Sequence, residues 1–416
     1  MYVNILYLLA FLIPLVLVPM VLPAFVLMAH RKRITDGPSP RKRQSQPVAV
    51  MGGTVMMLVI CITAVIINLF FDLTPLFPVL CVMFMLYIFG MMDDSIGLLW
   101  GFKLFLQACA VLLLYFGSKY GVHDFYAIPF LDNMSPWLSC LLTLISGLLL
   151  LNAVNFSDGI DGLAAALGVL AGLTMGYWHA RHGFVTQAIL CYIMVGVMTG
   201  FFFFNVFSKR YKSYMGDSGS LVLGLFIFIA VCDDNFSTLD GSFLADNYSL
   251  SFVISVLSVM LFDLVRVVLT RILSRTPPYK GDRTHLHHIF VDMGMNHLMA
   301  TAHLVIINMV VIGVWFLTAI TGMPVLPQLL IVVVTGFILI WTPYFLIVYC
   351  RDKRPSVYSN LSSRCNRISL RVDRIVDIGQ HIIDRRSKKN TASGQYSASL
   401  HSKQSIEYNN NETIHT

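Results

Sequence analysis

Charged residues are scarce in this chain. Asp, Glu, Lys and Arg make up 12% of the 416 residues, whereas 56% are apolar. Soluble globular proteins carry about 25% charged residues, so the composition excludes a soluble enzyme, a disordered protein and a fibrous one. At about 20 residues per membrane-spanning helix plus loops, the length predicts an all-α polytopic membrane protein.

Other absences narrow the chemistry. Only two glutamates occur, Glu407 and Glu412, so every acidic group before them is an aspartate. The eight cysteines form no C-x-x-C pair, which predicts packing residues without a disulfide or zinc framework. No basic segment precedes the apolar run that begins at residue 2, so we expect a retained first span and no cleaved signal peptide.

Eleven apolar segments are present, and they are too long and too free of strict alternation to be barrel strands. Their approximate limits are 2–29, 48–71, 76–92, 102–117, 137–156, 161–178, 184–206, 219–232, 249–270, 301–321 and 325–349. Lys and Arg concentrate in the loops 30–47, 207–218 and 271–300. The positive-inside rule therefore predicts about 11 transmembrane helices, with the N-terminus outside and the C-terminus cytoplasmic. It also accounts for the net charge of +7 without a nucleic-acid partner.

The pattern divides the chain into three parts. Residues 1–350 form the predicted transmembrane domain. In residues 351–386, apolar residues recur at helical spacing between arginines, which predicts a basic, amphipathic helix. That helix either lies on the anionic inner leaflet or packs on the bundle. Residues 387–416 are rich in Ser, Asn, Thr and Gln, and they are predicted to be a disordered tail.

Two adjacent carboxylates, Asp93 and Asp94, end the third segment in the run G-M-M-D-D-S-I-G-L. Adjacent carboxylates repel each other, so a nearby cation would stabilise them. They are candidates for a Mg²⁺ ligand or a general base, and the alternative is a plain cap at the end of a helix. Lys103, on the next helix, either faces the same pocket or extends to the membrane boundary.

The run N-A-V-N-F-S-D-G-I-D-G-L places polar groups beside apolar helices. Asn152, Asn155 and Asp158 recur every three residues, which puts them on one helical face if the helix continues that far. Asp158 and Asp161 each precede a glycine, as in turns and helix caps. A short helix connection is the alternative, but amides inside an apolar segment favour a functional site.

The run M-G-D-S-G-S-L surrounds Asp217 with glycines, which let a phosphate approach the backbone. Free N–H groups at the start of the following helix suit an anion, and Asp217 is a candidate metal ligand. Upstream, Asn205 ends a run of phenylalanines, and Lys209, Arg210 and Lys212 would attract an anionic ligand. Helix capping is the alternative.

The run Y-K-G-D-R-T-H-L-H-H contains three histidines within four residues. No cysteine or glutamate completes a zinc site there, so a loop that contacts phosphate and sugar is the preferred interpretation. Asp263 and Arg266 are three residues apart and are expected to pair locally.

Taken together, aspartate-bearing loops and basic groups at one membrane face indicate a site for Mg²⁺ and a diphosphate beside lipid. Metal-assisted phosphoryl transfer uses such a site. An ion-coupled transporter is the rival hypothesis. It predicts acids at mid-membrane and an internal repeat, which this sequence lacks.

These four motifs, in this order over residues 1 to about 350, resemble those of the polyprenyl-phosphate N-acetylhexosamine-1-phosphate transferases. The segment count and the H-L-H-H form resemble the branch that uses UDP-N-acetylglucosamine and undecaprenyl phosphate. The resemblance implies transfer of N-acetylglucosamine 1-phosphate to the lipid, with UMP released. It also implies the bacterial cytoplasmic (inner) membrane and a surface-polysaccharide pathway such as O-antigen lipopolysaccharide. Another UDP-N-acetylhexosamine, a covalent intermediate and a homodimer stay open.

The same resemblance implies roles for individual residues. Asp217 would be the direct ligand of Mg²⁺, or of Mn²⁺ in its place, and Asp93 or Asp94 would bind metal or deprotonate the lipid phosphate. The nucleotide and metal pocket would be shaped by Asn155, Asp158 and Asp161. The residues implied to contact substrate are Asp36, Lys103, Asn205, Arg283, His285, His287 and His288.

Overall fold

The computed structural model describes residues 2–32, 34–36, 47–118, 120–122, 134–232, 250–277 and 283–412, with side chains up to residue 384 except that of Asp36. The helices in these residues are α1 (Tyr2–Lys32), α2 (Gly52–Asn68), α3 (Phe77–Ile96), α4 (Trp100–Ser118), α5 (Pro136–Ser157), α6 (Leu163–Arg181), α7 (Val185–Phe207), α8 (Gly216–Val231), α9 (Leu250–Val256), α10 (Ser258–Leu273), α11 (Leu286–Asp292), α12 (His297–Ile320), α13 (Val325–Gly336), α14 (Thr342–Lys353) and α15 (Pro355–Glu412). A two-residue antiparallel ribbon pairs β1 (Thr35–Asp36) with β2 (Val48–Ala49).

The membrane-spanning capacity follows from the length and hydropathy of the helices. Across the described residues, eight helical stretches are long and apolar enough to cross a membrane, and the bent pair α9–α10 makes a ninth if it counts as one span. The apolar helices α2 and α8 are shorter. Each predicted apolar segment contains a helix or a bent pair, so the helical, multi-pass membrane architecture is confirmed. The count of eleven spans and the orientation stay predictions.

Helix α8 lies at the centre of the bundle. Every residue from Ser218 to Ala230 is buried, as expected for a helix that is apolar on all sides. Two glycines allow neighbouring helices to approach its first turn. A Cβ on Gly53 would lie 2.4 Å from the Gly219 nitrogen, and one on Gly90 would lie 2.4 Å from the Ser218 Cα. This packing brings the end of α3 against the start of α8.

The predicted segment 249–270 is not one straight helix. It breaks at Leu257, where α9 and α10 meet at a bend of 84°. The backbone groups that the break frees are bound by Asn308 of α12, whose amide donates to the Val256 carbonyl (2.8 Å) and accepts from the Val259 N–H (3.1 Å). Such satisfaction of freed backbone groups is what makes a broken helix stable inside an apolar bundle.

Helix α15 follows the last apolar stretch and contacts the bundle along one face. Ser369 on that face is buried, and Ile383 packs against the core. The helix includes the predicted amphipathic segment and continues to Glu412. The division between an ordered helix and a disordered tail at residue 386 is not tested and stays a prediction.

Candidate active site

A lysine bridges two carboxylates at one end of the bundle. The Lys103 ammonium lies 2.8 Å from Asp93 Oδ2 and 3.0 Å from Asp217 Oδ2. Lys103 comes from the first turn of α4, Asp93 from the last turn of α3 and Asp217 from the first turn of α8. Two residues that the sequence separates by more than a hundred positions thus share one cation. The alternative in which Lys103 extends to the membrane boundary is not what the structure shows.

The adjacent Asp94 has a different environment from Asp93. Its carboxylate accepts hydrogen bonds from the Asp217 N–H (2.8 Å), the Ser218 N–H (3.1 Å) and the Ser218 hydroxyl (2.9 Å). These donors belong to the first turn of α8, where N–H groups have no partner within the helix. A negative charge there also interacts favourably with the helix dipole. Asp94 therefore holds the start of α8, and with it Asp217, in place.

Asn155 fixes Asp217 from the opposite side. Its amide, at the end of α5, donates to Asp217 Oδ1 and to the Ser220 hydroxyl (2.8 Å). Asn152, one turn earlier, instead donates to the buried Gln107 (2.8 Å). The predicted common face of α5 is thus divided between a contact to Asp217 and a structural contact.

Asp158 and Asp161 lie in the loop between α5 and α6, and their pKa values are shifted in opposite directions. Burial raises the pKa of Asp158 well above its ordinary value, and the charges of Asp217, Asp161 and Asp94 raise it further. Burial also acts to raise the pKa of Asp161, but a hydrogen bond from His297 and the charge of Lys212 outweigh it, and its pKa is lowered. Asp158 therefore holds a proton more readily than an ordinary aspartate, whereas Asp161 loses its proton more readily.

Asp161 is held by residues from two other elements. Lys212 Nζ lies 2.6 Å from Asp161 Oδ2, and His297 Nδ1 lies 2.8 Å from the same oxygen. Lys212 precedes α8, and His297 is the first residue of α12. None of the four sequence motifs contains His297. The only signal was a polar pair, Asn296-His297, directly before an apolar segment.

Asn205 connects two loops of the site through both ends of its amide. Its Oδ1 accepts from the Gly162 N–H (2.6 Å), and its Nδ2 donates to the Ser213 carbonyl (2.9 Å). The side chain is buried. The predicted substrate contact of Asn205 stays untested, and the bonds shown position the loops that carry Asp161 and Lys212.

The histidine run packs beside the aspartate loop. His285 Nδ1 lies 2.8 Å from Asp263 Oδ2, and the Asp263 carboxylate also binds the buried Arg266 (2.7 Å). The expected Asp263–Arg266 pair is therefore present, and it also orients His285. His287 packs so closely on the loop that a Cβ on Gly159 would lie 2.1 Å from its Nε2. This packing brings the fourth motif against the second.

Two of these histidines favour the neutral form. Burial lowers the pKa of His287 well below its ordinary value, and the neighbouring His288 and His285 lower it further. Burial lowers the pKa of His288 to about 4, and the charge of Arg283 contributes. Neutral imidazoles can donate or accept a hydrogen bond at pH 7. The Nε2 atoms of His285 and His287 are buried and have no hydrogen-bond partner within the described part of the chain.

Two further predicted substrate residues, Arg283 and Asp36, have other partners in the structure. Arg283 forms an ion pair with Asp292 (2.7 Å). The backbone of Asp36 pairs with Val48 in the β1–β2 ribbon, and its side chain lies outside the described part of the structure.

The donor set at α8 suits a hard divalent cation. In the residues that the structure describes, no group of three or more His, Cys, Asp or Glu side chains is close enough to form a complete metal cage. Mg²⁺ is usually bound by one or two carboxylates, with water and substrate phosphates completing the shell. Asp93 and Asp217 converge on one positive charge and fit that pattern. Asp94 fits it less well, because its oxygens already accept three hydrogen bonds.

The sequence is similar to known proteins over the region that carries this site. Residues 76–233, which carry Asp93, Lys103, Asn155 and Asp217, match glycosyl transferase family 4. A probable undecaprenyl-phosphate N-acetylglucosaminyl 1-phosphate transferase of Bacillus subtilis (strain 168) is 28% identical over 305 residues, 72% of this chain and 82% of the relative.

Two further relatives have related names. The undecaprenyl-phosphate alpha-N-acetylglucosaminyl 1-phosphate transferase of Escherichia coli (strain K12) is 25% identical over 278 residues, 66% of this chain and 73% of the relative. The decaprenyl-phosphate N-acetylglucosaminephosphotransferase of Mycobacterium leprae (strain TN) is 32% identical over 174 residues, 38% of this chain and 43% of the relative.

The comparisons indicate an enzyme of the sugar-phosphate transferase class, and the long apolar helices indicate a multi-pass membrane protein. Within that class, residues 76–233 are similar to glycosyl transferase family 4, and the relatives named above are polyprenyl-phosphate N-acetylglucosamine phosphotransferases.

Proposed function

We propose that the protein transfers N-acetylglucosamine 1-phosphate from UDP-N-acetylglucosamine to undecaprenyl phosphate in the bacterial cytoplasmic membrane. An oxygen of the lipid phosphate attacks the β-phosphorus of the nucleotide sugar, and the bond from the β-phosphorus to the bridging oxygen breaks. The products are undecaprenyl-diphosphate-N-acetylglucosamine and UMP. The names of the relatives support the lipid and the sugar, and the first lipid-linked step of a surface polysaccharide is the pathway position we propose.

One observation carries the proposal: the Lys103 ammonium lies between Asp93 and Asp217 at the start of a buried helix. Both reactants are anions, so their approach requires concentrated positive charge. Mg²⁺ would be held by Asp217 and Asp93 and would neutralise charge on the diphosphate. Lys103 supplies a second positive charge beside it, and Asp94 and Asn155 keep Asp217 in position.

The remaining residues have assigned tasks within this proposal. The raised pKa of Asp158 makes it a candidate for the group that exchanges a proton with the reacting phosphates. Asp161, held ionised by Lys212 and His297, would shape the nucleotide-sugar pocket. His285 and His287 would contact the sugar and diphosphate, because their buried Nε2 atoms have no hydrogen-bond partner among the described residues.

The test uses purified protein in detergent with undecaprenyl phosphate, UDP-N-acetylglucosamine and Mg²⁺, and it follows UMP release. Asp217→Asn and an EDTA sample are the negative arms. Asp352→Asn, which alters an exposed ion pair with Arg351, is the matched positive control. We expect lipid- and metal-dependent UMP that both negative arms abolish. UMP with only another UDP-N-acetylhexosamine would overturn the donor, and folded protein without UMP from any donor would overturn the enzymatic proposal.

A further inference from the structure

Asp161 is fixed by two segments that have no direct connection in sequence. Lys212 belongs to the segment between α7 and α8, whereas His297 begins α12. Both contact Asp161 Oδ2, at 2.6 and 2.8 Å. The position of Asp161 therefore depends on how accurately these two segments are placed. Helix α15 contacts both of them.

The first contact is at Asp384. Its carboxylate accepts a hydrogen bond from the buried Ser208 hydroxyl (2.7 Å) and from the backbone N–H groups of Lys209 (3.2 Å) and Arg210 (3.4 Å). The Ser208 oxygen in turn accepts from the Tyr211 N–H (2.9 Å). Asp384 thus organises the turn that leads directly to Lys212.

The second contact is at Asn296, the residue before His297. Its backbone N–H donates to the Ser369 hydroxyl (2.9 Å), and its side-chain amide donates to Asp373 Oδ1 (2.7 Å). Its Oδ1 accepts from the Met299 N–H (2.8 Å), so the same side chain is the N-cap of α12. Ser369 and Asp373 therefore fix the residue that sets the start of α12.

The spacing of these contacts makes α15 a rigid link. At 100° and 1.5 Å per residue, Ser369, Asp373 and Asp384 lie on one side of the helix and extend over about 22 Å. Between them, the helix touches the end of α7, since a Cβ on Gly379 would lie 2.6 Å from the Phe207 ring. A single helix thus sets the distance between the segments that carry Lys212 and His297, the two residues that contact Asp161.

We propose that α15 is a positioning element of the active site, with Ser369, Asp373 and Asp384 acting on Asp161 through Lys212 and His297. The proposal deepens the proposed function, because it assigns Asp161 to the nucleotide-sugar pocket. It predicts that α15 affects binding of the nucleotide sugar but not binding of the lipid phosphate. Loosening α15 weakens binding of the nucleotide sugar and leaves the lipid phosphate unaffected, because Asp93, Asp94 and Asp217 do not contact α15 in any described interaction.

The first experiment measures kcat and both KM values for full-length Asp384→Asn and Asp373→Asn. The matched control is Asp377→Asn on the same helix, which alters only an exposed pair with Lys209 at 3.6 Å. We expect KM for UDP-N-acetylglucosamine to rise by up to about tenfold in each test variant, because the Asn oxygen accepts only neutral hydrogen bonds, which are roughly half as strong as charge-assisted ones. KM for undecaprenyl phosphate should stay within about twofold, and Asp377→Asn should match wild type. Asp384→Glu, which keeps the carboxylate, should recover part of the loss.

The second experiment measures backbone hydrogen exchange without substrate. Asp384→Asn should speed exchange at residues 209–214, and Asp373→Asn should speed it at 296–300. Variants whose KM values and exchange match those of Asp377→Asn would overturn the proposal. An equal rise in both KM values, with a lower melting temperature, would mean that α15 only stabilises the whole protein, and this result would also overturn the proposal. If wild type transfers nothing, the proposed function fails, and the exchange data still decide whether α15 holds these segments.

Discussion

Replacing Lys103 by Gln tests the cation site most directly. The ammonium lies 2.8 Å from Asp93 Oδ2 and 3.0 Å from Asp217 Oδ2. Because both oxygens contact one nitrogen, they are at most about 5.8 Å apart. Two unit negative charges at that separation repel by about 3 kcal/mol at an effective dielectric constant of about 20. Lys103→Gln leaves this repulsion uncompensated.

The carboxylates of the variant therefore gain from any other cation that binds between them. A gain of about 3 kcal/mol corresponds to roughly a hundredfold in affinity. The Asp217 side chain is 30% exposed, and solvent screening reduces the effect. We expect the half-saturating Mg²⁺ concentration to fall about tenfold. We expect kcat to fall by about a hundredfold or more, because one positive charge near the phosphates is lost.

The assay is a Mg²⁺ titration of UMP release at saturating substrates, with enough variant enzyme to measure the residual rate. Lys353→Gln is the control, because that lysine is exposed in the last turn of α14 and has no role in the proposed site. It should leave both quantities unchanged. A Lys103→Gln enzyme that needs as much Mg²⁺ as wild type, or more, would refute the view that ammonium and metal share the two carboxylates.

Three further outcomes are expected. Gly159→Ala places a methyl group 2.1 Å from His287 Nε2, so the His287 ring must move. A displacement of about 1 Å can cost up to about a hundredfold in rate, and we expect a loss of transfer rate of about tenfold or more. Gly101→Ala, whose Cβ meets nothing within 4 Å, should retain activity. Because the folded pKa of His288 is about 4, against an ordinary value of 6.5, the unfolded chain binds the proton more readily between these values. Stability should therefore fall as pH decreases from 6.5 to 4. The melting temperature of His288→Gln should change less with pH over that range than that of the wild type. Asp94→Ala removes the cap of α8 and should cost about 2 kcal/mol in unfolding free energy, which denaturation in detergent would detect; unchanged stability would mean that the cap contributes little.

The sequence predicts the convergence of Asp93 and Asp217 because of a general constraint. Polar residues at helix ends on one side of a membrane bundle share a small surface, because burying them in the apolar interior costs free energy. The order of the apolar segments was therefore enough to bring the aspartate motifs together. The sequence left Lys103 open, because a lysine at the start of the next helix fits the membrane boundary as well as the aspartate pocket.

The division of labour between Asp93 and Asp94 could not be predicted in this way. The two residues have the same chemistry and adjacent positions, and only the approach of α8, made close by Gly90, gives Asp94 the N–H groups of Asp217 and Ser218. The contact of His297 with Asp161 joins residues 136 positions apart. Its register depends on where α12 begins, which hydrophobicity alone does not determine.

The contacts of α15 have a consequence for biosynthesis. Membrane helices enter the bilayer in chain order, and earlier parts of a chain generally fold first. The aspartates of the candidate site, together with Lys212 and His297, all precede α15 in the chain. They can therefore assemble before Ser369, Asp373 and Asp384 have been synthesised. The pocket around Asp161 then acquires its final supports only when these late residues arrive. In this order of events, the bundle is inserted first and the side of the site that contains Asp161 matures last.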